Sequence, residues 1–107
     1  MQNDKKNPNE QQINIELSEE IAEGIYSNLA IIGHFNQEFI IDFVKVVPGL
    51  PKAKVKSRII LTPQHAKRLL RAMAENVKKY EEMHGEIIEH EIYPNMPMNF
   101  GGPTGLA

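Results

Sequence analysis

The sequence predicts an α+β fold: an antiparallel meander sheet of three or four strands, with one long C-terminal amphipathic helix packed on one face. Three observations predict it. Residues 38–47 and 54–61 are dense in β-branched and aromatic side chains, the composition of strands. Pro48-Gly49-Leu50-Pro51 breaks the chain between them. From Ala66 onward the apolar residues recur at three- and four-residue spacing, the helical period.

In chain order, residues 1–12 (MQNDKKNPNEQQ) form a polar arm too poor in apolar residues to offset the entropy of ordering, so a disordered segment is expected. Ile13, Ile15 and Leu17 alternate with Asn14 and Glu16, a short strand pattern. Residues 18–24 are acidic and end in Gly24. They read either as one helical turn capped by Ser18 or as a bend between strand segments, and the bend or bulge is the expectation. Residues 25–34 (IYSNLAIIGH) read as a strand, and Phe35-Asn36-Gln37 as a tight connection. Residues 38–47 (EFIIDFVKVV) are the clearest strand in the chain, and residues 54–61 (KVKSRIIL) are the last one before the helix.

Thr62-Pro63 is a helix start. The Thr62 hydroxyl can accept from the free N–H groups of the first turn, and Pro63 falls where its missing N–H costs nothing. Ala66, Leu69, Leu70, Met73, Val77 and Tyr80 then make the apolar stripe, and Gly85 reads as the stop. A helix over residues 63–84 is about 33 Å long. If its stripe lies on the sheet, Leu70→Ala costs about 2–5 kcal/mol. Residues 86–93 (EIIEHEIY) read as an edge strand or a frayed extension, which closes a single domain over residues 13–93. Residues 94–107 are dense in Pro, Gly and Met without periodicity, a flexible tail.

The two faces of the sheet carry the functional expectation. Phe39, Ile41, Phe43 and Val47 point one way from the second strand. Glu38, Ile40, Asp42, Val44 and Val46 point the other. An antiparallel pairing places Asp42 opposite Arg58 and Val44 opposite Lys56. One helix covers one face of a sheet. The other face, with Ile40, Val44, Val46 and Ile60, is then a part-apolar surface of the kind that marks an interaction site. A second copy of the chain related by a two-fold axis is the expected cover. The first functional expectation is therefore a homodimeric, non-enzymatic binding or assembly module, such as an adaptor or a small chaperone-like subunit.

The second expectation rests on charge. Between Phe43 and Ala74 the chain carries cations and no acidic residue. Lys54, Lys56, Arg58, Lys67, Arg68 and Arg71 are the candidates for contacting a nucleic-acid backbone, which needs several cations on one face. Against this stand the net charge of −2, the lack of interleaved aromatic stacking residues, and the acidic segments 16–23 and 86–91, which can answer these cations.

Enzyme chemistry is not expected. Glu38 and Asp42 share a strand face, but cross-strand ion pairing accounts for them. The serines lack a nucleophile-elbow context, and no glycine-rich phosphate loop precedes a helix. His84, His90 and their neighbouring glutamates lack a chelating spacing, so neither a metal nor any cofactor is expected. There is no cysteine, which removes disulfides and thiolate chemistry and suits a reducing cytoplasm, the expected location. No signal-peptide pattern opens the chain, and no apolar run is long enough to span a membrane.

Tyr26-Ser27-Asn28, Glu38-Phe39, Asp42-Phe43, Pro48, the Pro63-Gln64-His65-Ala66-Lys67 start with Leu69-Leu70, and Lys79-Tyr80-Glu81 with Gly85 resemble a family of small uncharacterised prokaryotic proteins, catalogued as a domain of unknown function. The resemblance spans about residues 13–90. It implies a single short bacterial domain and carries over no catalytic residues.

Overall fold

The computed structural model describes residues 12–90. The arm before Gln12, the tail after His90 and residues 91–93 of the expected edge segment lie outside the described residues. Five elements follow one another: α1 (Glu19–Ala22), β1 (Leu29–His34), β2 (Phe39–Lys45), β3 (Lys54–Leu61) and α2 (Pro63–His84). The strands form one antiparallel sheet in the order β1-β2-β3. The α+β class, the meander and the long C-terminal helix are as the sequence predicts, and β3 and α2 occupy the predicted spans.

Register fixes which side chains share a face. Ile32, Ile41 and Ile59 lie opposite one another in a row across the three strands. The neighbouring row on the other face is Ile31, Asp42 and Arg58. A register shift falls between Phe43 and Val44, so Ser57 faces Phe43 and Val55 faces Val44. This corrects the expected pairing of Val44 with Lys56. Lys56 is the extra residue of a β-bulge, which strict alternation does not anticipate.

The strand predicted over residues 25–34 begins only at Leu29, because side chains replace its ladder. The Ser27 hydroxyl lies 3.0 Å from both the Leu29 and the Val44 carbonyl oxygens. The Asn28 amide brackets Val46: Nδ2 donates to the Val46 carbonyl at 2.9 Å, and Oδ1 accepts from the Val46 N–H at 2.8 Å. These bonds satisfy backbone groups just past the end of β2.

The expected bend at residues 18–24 is instead a helical turn, α1. Ser18 Oγ accepts from the Ile21 N–H at 3.2 Å, and Gly24, at φ +80°, ends the turn by donating to the Ile21 carbonyl. Capping chemistry decides the local outcome. Residues 13–17 alternate as predicted but pair with no strand among the described residues. Residues 85–90 have no regular structure, and the Ile87 N–H there donates to Glu81 Oε2 at 3.0 Å.

The largest difference concerns α2. Thr62 caps it, accepting from the His65 N–H at 3.1 Å. Yet α2 has no buried residue. It meets the sheet at β3, the strand that runs into it, where Ala66 and Leu69 are half-buried. The expected packing along one sheet face is not found. The buried apolar core is Ile40, Ile41, Val44 and Leu61.

Candidate interaction surface

Asp42 sits at the middle of the central strand with its side chain fully buried. Ile40 and Val44 precede and follow it on the same face, and Ile31 lies opposite on β1. An unpaired carboxylate in such a place is costly. Arg58 answers it from β3: Nε donates to Oδ1 at 2.7 Å and a terminal nitrogen donates to Oδ2 at 2.8 Å. The two-point hydrogen bond from Arg58 holds the Asp42 carboxyl below the usual carboxylate range, with the guanidinium charge adding to it and burial opposing it. The same bond raises the Arg58 pKa further. This is the one ion pair among the described residues, and it has the geometry of a structural clamp.

Cations gather where β2 meets β3. Lys45 lies directly opposite Lys54, and like charges so placed repel. Lys45 also lies over the Tyr26 ring, 5.9 Å from its centroid, a cation–π contact that partly offsets the repulsion. Of the six nucleic-acid candidates, Lys54, Lys56 and Arg58 are on β3, and Lys67, Arg68 and Arg71 are on the first half of α2. The set is thus divided between two elements, and Arg58 is committed to Asp42. The acidic residues of 16–23 form no ion pair with any of them among the described residues.

Of the residues assigned to a partner-binding face, Ile40 lies directly opposite Ile60. Ile40 and Val44 are buried within their own chain, Val46 is half-buried, and Ile60 is 56% exposed. The apolar surface left open is larger and elsewhere. It includes the α2 stripe, with Leu70 69%, Met73 57%, Tyr80 53% and Met83 78% exposed, and the segment before α1, with Ile13 79%, Ile15 91% and Leu17 69% exposed. Ile32 and Ile59 are also open, on the sheet. Sequence reasoning finds the stripe but assigns it to the chain's own sheet. Its signal as an interface is that the three strands are too short to carry a 22-residue helix along its length.

Two depressions of the surface are open to solvent. One is lined by Ile25, Ser27, Phe43, Ser57 and Ile59, another by Asn36, Gln37, Thr62, Pro63 and Gln64. Neither brings an acid, a base and a nucleophile together. Among the described residues, no group of three histidine or carboxylate side chains is close enough to hold a metal ion, and no helix is long and apolar enough to cross a membrane.

A family model described as "Protein of unknown function (DUF3467)" matches residues 1–89. No curated protein and no solved structure matches the chain.

Proposed function

The chain belongs to the DUF3467 family of proteins of unknown function, and on that premise we propose that it is a non-enzymatic assembly module that acts as a homodimer. The observation that carries this reading is the α2 stripe: a 22-residue amphipathic helix with none of its residues buried. Burying each large apolar side chain is worth roughly 1.5–3 kcal/mol. A single chain forgoes most of that stabilisation beyond Leu69. A second copy supplies a matching stripe, and a two-fold contact covers both at once. The Asp42–Arg58 pair keeps β2 and β3 in register and leaves its charges satisfied, which suits a scaffold rather than a reaction centre.

The test is to place a charge on the stripe. Leu70→Glu with Met73→Glu leaves an exposed helix intact if the chain works alone, because glutamate is a good helix former. In sedimentation at matched concentration the double variant is expected to run at half the mass of the wild type. Equal mass for the two proteins refutes the α2 contact.

A further inference from the structure

The segment before α1 lies open in the single chain. Its backbone pairs with no strand among the described residues, its three apolar side chains alternate, and all three are exposed. Across the molecule, β3 is an edge: it pairs with β2 on one side and, among the described residues, with no strand on the other. Building on the homodimer reading above, we propose that residues 13–17 of one copy add to the β3 edge of the second copy as a fourth, antiparallel strand.

Charge selects this edge over the other. β1 carries no lysine or arginine, whereas β3 carries Lys54, Lys56 and Arg58. Lysines and a bulge on an edge ordinarily keep other strands away. An acidic segment reverses the sign of that barrier. Residues 16–23 hold four glutamates and no cation, and none of the four forms an ion pair among the described residues of its own chain. Pairing β3 with β3 of the second copy instead brings two cationic strands to one sheet spacing, about 4.8 Å.

Register follows from the apolar residues. With Ile15 opposite Ile59, the row Ile32, Ile41, Ile59 gains a fourth isoleucine. Antiparallel order then sets Ile13 beside Leu61, Leu17 beside Ser57 and Glu16 beside Arg58. The five-residue arm pairs with residues 57–61, clear of the bulge at Lys56. The acidic turn α1 falls next to Lys56 and Lys54, whose charges form no ion pair among the described residues of their own chain. Exchange is reciprocal, so two arms close the dimer without an open end.

The chain has no cysteine, so introduced thiols report on chosen pairs alone. Two full-length single-cysteine variants, Ile15→Cys and Ile59→Cys, are mixed under reducing conditions, weighed by light scattering and then oxidised. A second mixture pairs Asn14→Cys with Ile60→Cys, in case the first substitution harms folding. The expected result is a disulfide-linked species of twice the chain mass containing one copy of each variant, in at least one mixture. A dimer by light scattering that yields no mixed disulfide in either mixture overturns the arm exchange and leaves the dimer standing. A monomer under reducing conditions overturns both.

Discussion

Asp42 and Arg58 face each other across β2 and β3 and join through two hydrogen bonds of 2.7 and 2.8 Å, with the carboxylate fully buried and the arginine side chain 41% exposed. The contact fixes the register of the two longest strands, because a one-residue slip sends the two side chains to opposite faces. It also accounts for a buried charge at the centre of a small sheet: neither Ile31 nor the aliphatic neighbours along β2 could satisfy it.

This pair makes stability depend on acid. The folded-state pKa of Asp42 lies below its ordinary value, so the unfolded chain binds the proton more readily. The contribution is complete above the unfolded pKa of about 3.9 and is lost as pH falls through the lower folded value. Asp42→Asn is therefore expected to be less stable than the wild type near neutrality, with the gap narrowing below about pH 4. Denaturant titrations at several pH values check this, and a gap that widens in acid contradicts the assignment.

Ile41 and Leu70 separate the core of the chain from the contact proposed between two copies. Ile41 is 9% exposed, so Ile41→Ala is expected to cost about 2–5 kcal/mol whatever the protein concentration. Leu70 is mostly open in the single chain, and on the proposed dimer its truncation acts through the second copy. Leu70→Ala is expected to lower the melting temperature more at high protein concentration, where the wild type is associated, than at low, where both proteins are single chains, since association stabilises by mass action. Melts over a wide range of protein concentration distinguish the two behaviours.

Thr62 and Gly85 set the ends of α2. Thr62→Ala removes the acceptor for the His65 N–H and is expected to cost about 1 kcal/mol, while Thr62→Ser retains most of the capping. Comparing their denaturation midpoints tests the cap.

Gly85 has φ +94° and ψ 167°, a region essentially reserved for glycine. Its N–H donates to the Glu81 carbonyl at 2.8 Å. Nothing lies within 4 Å of a Cβ built there, so Gly85→Ala meets strain without a clash, of about 1–3 kcal/mol. The expected signature is faster amide exchange confined to the last turn of α2. Unchanged exchange at residues 81–85 contradicts a glycine-only backbone conformation at the end of the helix.

The sheet and the helix are legible in the sequence because their signals are local or paired. Arg58 opposite Asp42 follows from alternation and opposite charge. Thr62-Pro63 and Gly85 mark the helix ends by capping chemistry. The bulge is not legible, since Val55 and Lys56 both suit a strand and sequence alternation does not count an inserted residue. Nor is the strand start at Leu29, because the bonds from Ser27 and Asn28 to the β2 end are long-range. The placement of α2 escapes the sequence for a different reason. Periodicity shows that one face of a helix is apolar, and it does not show what covers that face. The exposed Leu70, Met73 and Tyr80 emerge only once the size of the sheet is known.

The homodimer is tested most directly by the solution mass of the full chain, measured by light scattering at low and high salt. A homodimer built on the α2 stripe predicts about 24 kDa, twice the 12.2 kDa chain mass, and persistence in high salt, since apolar burial is not screened as charge contacts are. A mass of 12.2 kDa at both salts and at micromolar concentration would contradict it.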